Sequence, residues 1–503
     1  MQNVTRVSSG KLIPWVIFIA YVGLSGYTIA HHEMWGDEIH SWNIAKASAS
    51  YPDLIHNTRY EGHPPVWYTI LWTISKFTHH LAYVQAVHWF IACATVFLII
   101  FLSPMPLLAR CMIPFGYFFL YEYSVLSRNY AIGILLACCI CLVIRQRLPA
   151  TVLLYYVLLF LMSNTHLLGA VLAGCLHLYF ILFQFGQKRT LKPVVPHLIA
   201  GVLIFIPALY FIFPPSDSQL NTGYWISRWN PEQIKALGQA PLRSFVPFPA
   251  WWEEHFWNTQ FLLDSTNKSI FLNFLVALGA LSIAVLTLYR NWKALTLFLA
   301  NVAISFLLAL VVFPLTSARY AGFLFIGFII AYWLYCYETS VTRRNQIPVN
   351  GLLLIHVLTG FFMTWKDIRL PFSNAGLVNE LLQVSPANST TVTDYWAMNT
   401  ISAFADRPIY CVDIQREISF VIWGPELGYA LTKPNRYTEG INNLLNKEEI
   451  NKVYMISTGS PEALKHADHS LFTRFHVQVI DAREGAVEKG GNLYLYEISK
   501  VED

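Results

Sequence analysis

The chain has 503 residues, 55% of them hydrophobic and 15% aromatic but only 13% charged, with a mean hydropathy of +0.44. That balance excludes a soluble enzyme of this size and describes a polytopic α-helical membrane protein. The net charge of +4 is spread along the chain instead of gathering on one domain, which excludes nucleic acid as a partner.

In chain order, the first apolar span, Leu12 to Ala30, is too long for a signal-peptide core and lacks a small-residue cleavage site, so it reads as an uncleaved anchor. Spans are predicted at 12–30, 82–102, 106–124, 128–145, 149–164, 166–185, 195–213, 269–289, 294–313, 319–337 and 348–365, about eleven in all. The stretch Pro64 to Phe77 is too short to cross and is predicted to be a helix lying in the interface. With that choice the inner segments carry Arg6, Lys11, Arg110, Arg145, Arg147, Lys188, Arg189, Lys192, Arg290, Lys293, Arg343 and Arg344 against the single acid Glu338. This positive-inside bias places the N-terminus in the cytoplasm and puts three segments outside: the 31–81 loop, the 214–268 loop and the C-terminal part. The expected setting is a bacterial inner membrane, with the C-terminal part periplasmic or extracellular.

Residues 1–365 therefore form a transmembrane module. Residues 366–503 alternate short β-type runs (391–393, 409–413, 453–457, 476–480 and 493–498) with helical stretches, the pattern of a soluble α/β domain with a largely parallel sheet. Seven of the eight cysteines lie in or beside apolar spans and Cys411 stands alone, so no disulfide framework or CxxC metal site follows.

The chemistry-bearing residues fall on the outer side. Asp37 and Glu38 follow the first span; on a helix they point about 100° apart, so one acts and the other supports. A carboxylate there is suited to take a proton from an acceptor hydroxyl or to hold a divalent cation beside a phosphate. Asp37 fits equally the N-cap of a helix starting near Glu38. In Glu61-Gly62-His63-Pro64-Pro65 the glycine allows close approach and the prolines fix the next helix, so Glu61 and His63 are held in place.

Arg128, in Ser127-Arg128-Asn129-Tyr130, suits a lipid-linked phosphate, or pairs with Glu122. Arg319-Tyr320 offers a second such cation, and His166 a further ligand. The 214–268 loop is rich in aromatics, among them Trp225 and Trp257, which serve either sugar stacking or an interfacial belt.

Together, Trp35-Gly36-Asp37-Glu38, Glu61-Gly62-His63-Pro64-Pro65-Val66-Trp67-Tyr68, Ser127-Arg128-Asn129-Tyr130 and Arg319-Tyr320 resemble the GT-C superfamily of membrane glycosyltransferases. The likeness is to bacterial relatives of the protein O-mannosyltransferases and of the lipid A aminoarabinose transferase, over about the first 340 residues. It implies a GT-C-like fold and a polyprenyl-phosphate sugar donor. It also implies Asp37 as general base with Glu38 in support, and a donor-phosphate or metal site from Glu61, His63, Arg128, Arg319 and His166. Sugar contacts would come from Tyr68, Tyr130, Tyr320 and Trp225. Some relatives carry a lysine where His63 stands here.

The expectation is a hexosyl- or pentosyltransferase moving a sugar to an envelope lipid, glycan or protein. A divalent cation (Mg, Mn or Zn) would be held by Asp37, Glu61 and His63. Two other classes remain: a lipid-sugar flippase, which would call for inverted repeats that the sequence does not display, and a non-catalytic polysaccharide-assembly subunit.

Overall fold

The computed structural model describes residues 9–145, 148–188, 192, 194–219, 231–264, 270–311, 315–386, 389–447 and 450–501. Trp225 lies outside the described residues. All eleven predicted spans coincide with helical segments, but they are not alike. Eight described helices are long and apolar enough to cross a bilayer: Leu12–His31, Leu81–Leu102, Leu167–Gly186, Val195–Ile212, Phe271–Leu288, Trp292–Leu310, Ala318–Glu338 and Arg343–Arg369. The chain is a multi-pass membrane protein.

Tyr130–Val143 and Pro149–Ser163 are shorter, about 21–23 Å at 1.5 Å per residue. The eleventh, predicted at 106–124, is broken into the helix Leu107–Met112, a 3₁₀ turn Ile113–Phe115 and a π turn Phe118–Glu122. Pro114 and Gly116 interrupt the ladder there. The Arg343–Arg369 helix crosses so close at that point that a Cβ on Gly360 would overlap the Phe115 carbonyl. Ala318–Glu338 is the central helix, buried along most of its length.

The 31–81 segment folds into helices Gly36–Ala47, Tyr51–Asn57 and Val66–Ser75. The last, about 15 Å long, is too short to cross, as the sequence indicates. The 214–268 segment is more than a loop. Its helix Pro231–Phe245 enters the bundle, where Phe245 packs on Phe298, Phe325 and Phe328 and Ser244 Oγ accepts the Phe325 N–H at 2.9 Å. Phe325 lies about 10 Å along its helix from Ala318, whose N–H is capped by Asn258 Oδ1 at 2.8 Å. Asn258 stands at φ 68, a left-handed conformation that asparagine tolerates.

The C-terminal part is a mixed α/β domain. Its strands are β1 (Thr391–Thr393), β2 (Ile409–Cys411), β3 (Arg416–Ile418), β4 (Lys452–Ser457), β5 (Phe475–Arg483) and β6 (Leu493–Lys500), in the sheet order β3-β2-β1-β4-β6-β5. Five of the six follow the predicted runs; β3 is Arg416-Glu417-Ile418, too polar to read as a β-type run. Only β1–β2 and β1–β4 are parallel, so the sheet is not largely parallel: β4–β6, β6–β5 and β2–β3 are antiparallel.

Period-two alternation gives the sheet two apolar faces. Ile409, Cys411, Ile456 and Leu495 pack under the helix Tyr395–Ala405, and Val392, Val453, Met455 and Ile498 pack under Arg436–Lys447. The Tyr395–Ala405 helix lies on Gly36–Ala47. There the Asn399 carbonyl accepts Asn43 Nδ2 at 2.7 Å and Lys46 pairs with Asp406 at 2.8 Å.

Candidate active site

The Gly36–Ala47 helix starts two residues earlier than expected, with Trp35 as its N-cap, so Asp37 is not the cap. Both acids sit in the first turn, where the helix dipole favours negative charge. Their divergence sends them to different environments.

Asp37 faces two arginines. Arg319 Nη1 donates to its Oδ2 at 2.9 Å, Arg128 Nη2 lies 3.8 Å from the same oxygen, and Arg128 Nη1 donates to the Asp37 backbone carbonyl. Burial pushes the Asp37 carboxyl up, but Arg128 and then Arg319 outweigh it and hold the group below the usual carboxylate range. The Asp37 side chain still keeps 40% of its surface open, against 11% and 14% for Arg128 and Arg319. Arg128 therefore pairs with Asp37 and not with Glu122, which is instead bonded by Tyr117 at 2.6 Å and Trp257 at 3.2 Å.

Arg319 is fixed from several sides. Its guanidinium lies over Trp35 (5.1 Å), Tyr320 (5.1 Å) and Trp257 (5.8 Å), and its carbonyl accepts the Tyr123 hydroxyl at 2.6 Å. Trp257 is thus part of the arginine's cage and not of an interfacial belt. Trp251 and Trp252 remain exposed.

Glu38 points inward and is saturated. It accepts His32 Nε2 at 3.1 Å, the Trp35 N–H at 3.1 Å and the Ser127 N–H. His32 Nδ1 in turn meets Asp367 at 3.1 Å, and Tyr121 donates to Asp367 at 3.0 Å. Burial works against the charged imidazole, yet Asp367 and Glu38 raise His32 to about 10. Glu38 ties the turn that carries Asp37 to the segment that carries Arg128.

Glu61 and His63 also part company. Gly62, at φ 65, makes the turn between them. Glu61 Oε2 is bound by His40 Nε2 at 2.8 Å and by the Tyr68 hydroxyl at 3.3 Å, so Tyr68 is already engaged. Burial lowers His40, but Glu61 more than compensates and its net shift is upward. The other His40 nitrogen lies 3.2 Å from Asn399 Oδ1 of the α/β domain. His40 was missed by sequence reasoning, although its position three residues after Asp37 places both on one helix face.

His63 is held neutral, its imidazole lowered to about 3 by burial and by Arg128. His166 is lowered well below its ordinary value by burial, then by His63 and Arg128. Its Nδ1 accepts the Gly169 N–H at 3.1 Å, so the proton resides on Nε2. His166 packs edge-on against Tyr130, whose ring meets Tyr320 at 6.3 Å.

Around Arg128 this leaves His63 Nδ1, His166 Nε2, the Tyr130 hydroxyl, Ser127 Oγ and Asn129 Oδ1 buried without hydrogen-bond partners among the described residues. These polar atoms are free to be satisfied by water or by a polar ligand. Asp37, Glu61 and His63 do not converge as a metal set: Asp37 is matched by arginines and Glu61 by His40. Among the described residues no group of three or more His, Cys, Asp or Glu side chains comes together in a form that would hold a metal ion.

No protein-family model matches the chain, and no curated protein matches it. Among solved structures it is similar to the crystal structure of ArnT from Cupriavidus metallidurans in the apo state. The TM-score is 0.43 and the identity 13%, with 96% of this chain and 97% of that chain covered.

Proposed function

We propose that the chain is an integral-membrane glycosyltransferase that moves one sugar from a polyprenyl-phosphate donor to an envelope lipid, glycan or protein on the outer face. The observation that carries this reading is the Asp37–Arg128–Arg319 centre. An ionised carboxylate with one open oxygen stands beside two fixed guanidiniums and a cluster of unpartnered neutral donors and acceptors.

Guanidiniums recognise phosphate geometry and stabilise the charge that grows on a departing lipid phosphate. His63, His166 and Tyr130 are arranged to hydrogen-bond the same group without adding repulsion to Arg128. Asp37 Oδ1 receives the acceptor hydroxyl and orients its oxygen toward the anomeric carbon. The reading also comprises the division at 365, an N-terminus inside and an α/β domain outside.

The test is sugar transfer by the protein in nanodiscs, with radiolabelled polyprenyl-phosphate sugars, envelope extract as acceptor and Asp37→Asn as the control. Transfer by the wild type that disappears in the variant is expected. Full transfer by the variant overturns the mechanism.

A further inference from the structure

Asp37 makes a poor terminus for the acceptor's proton, because the arginines that keep it ionised also weaken it as a base. A second carboxylate belongs to the other domain. The loop joining β5 to β6 is fastened to the segment that leaves the Arg343–Arg369 helix. Val487 N–H donates to the Pro371 carbonyl at 2.9 Å, Glu488 N–H to the Phe372 carbonyl at 3.0 Å, and Asn374 N–H to the Gly491 carbonyl at 2.9 Å. Gly491 must be small there, since a Cβ would stand 3.0 Å from Ser373 Cα. On its other flank the loop meets the second outer segment, with His255 Nδ1 2.9 Å from the Ala486 carbonyl.

Phe372, which anchors Glu488, packs on Trp257 (5.2 Å) and Trp35 (6.4 Å), the rings over which Arg319 lies. The loop thus sets the Glu488 backbone against Phe372, one ring away from the Trp35 and Trp257 rings over which Arg319 lies. Glu488 Oε2 is steadied by the Gly490 N–H at 2.7 Å, and Oε1 carries no such bond among the described residues.

We propose that Glu488 is the group that accepts the acceptor's proton, so that the α/β domain completes the catalytic centre of the membrane module. This rests on the reading of the site as a glycosyltransferase centre. In the step, the acceptor oxygen forms its bond to the anomeric carbon as its proton passes to the Glu488 carboxylate. The bond from the anomeric carbon to phosphate breaks, and its electron pair leaves on the lipid phosphate, which becomes a dianion beside Arg128 and Arg319.

The electrostatics agree with the geometry. Burial, then the Asp37 charge, push the Glu488 carboxyl to about 7 against the opposing pull of the Gly490 N–H and Arg319. Of the elements packed on the loop, the second outer segment brings His255, the 371–376 segment brings no titratable side chain, and the loop itself brings Glu484 and Lys489.

The experiment is the pH profile of transfer in nanodiscs from about pH 5.5 to about 9 for wild type, Glu488→Gln and Glu488→Asp, with melting curves and donor binding recorded alongside. The wild type should lose rate below about 7 as Glu488 protonates. Glu488→Gln should bind donor normally, turn over roughly 10²–10⁴-fold more slowly and lack that acid limb. Glu488→Asp should keep a limb, displaced in pH, which separates loss of the proton acceptor from loss of the loop's fold. A Glu488→Gln enzyme with the wild-type rate and limb overturns this inference alone, provided that Asp37→Asn is dead. A wild type that transfers from no lipid-phosphate donor overturns both readings.

Discussion

Asp37 and Glu38 are adjacent in sequence yet belong to opposite kinds of centre. Asp37 shows 40% of its side chain and leaves an oxygen open, and its partners are cations held from outside the helix. Glu38 shows none of its side chain, and both its oxygens are taken by His32, Trp35 and Ser127. A half-satisfied carboxylate is a reactive one and a saturated carboxylate is scaffolding. The 100° between neighbours on a helix is what converts one acidic dipeptide into both.

The sharpest way to break that contrast is to neutralise each acid in turn. Asp37→Asn should cut transfer by roughly 10³-fold or more with only a modest fall in melting temperature, because the amide oxygen can still accept Arg319 Nη1 although the two guanidiniums lose their counter-charge. Arg319→Lys should follow at roughly 10²–10³-fold, with a weakened response to the donor phosphate, since a lysine cannot fork or stack on Trp35 and Trp257 as a guanidinium does. Donor titrations measure that loss separately from turnover. An Arg319→Lys enzyme with unchanged turnover and donor affinity would remove the phosphate role.

The buried knot should fail differently. His32→Gln leaves Glu38 and Asp367 uncompensated, an expected loss of about 3–5 kcal/mol in stability. The wild-type contribution also has a definite sign with pH. The folded-state value of His32, about 10, lies above the ordinary 6.5, so its stabilisation is complete below about 6.5 and fades as pH rises through about 10. Melting temperatures taken across that range should fall with rising pH in the wild type and stay flatter in His32→Gln. Identical slopes would remove the imidazolium from the knot.

Local features carried well from sequence to structure. Asp37, Arg128 and Arg319 were legible as candidates because charge beside apolar spans is costly, and the span pattern and five strands follow from period and length. The partners were not legible. His32 finds Asp367 at a separation of 335 residues, Arg319 finds Asp37 at 282, and His40 finds Asn399 at 359. No local pattern encodes such encounters. Pro231–Phe245 escaped because Gly238 and Pro241 interrupt it and its residues are polar on average, although its far end is buried. The proposed role of Glu488 escaped because a hairpin acid is ordinarily solvated, and only the docking of its loop on Phe372 sets it beside the rings that hold Arg319.

The smallest expected effect concerns the seam between the two domains. Asn399→Ala removes the acceptor for His40 Nδ1 but keeps the Asn399 backbone carbonyl that receives Asn43, so one hydrogen bond is lost, about 1 kcal/mol. Glu61 stands ahead of Asn399 among the groups that raise His40, so the shift should stay upward and transfer should change less than about twofold. Arg416→Ala, which breaks a pair exposed on both sides, should change stability by less than about 0.5 kcal/mol and sets the baseline. An Asn399→Ala enzyme that is stable but inactive would mean that the α/β domain acts on the centre through His40, and would move the catalytic contribution of that domain away from Glu488.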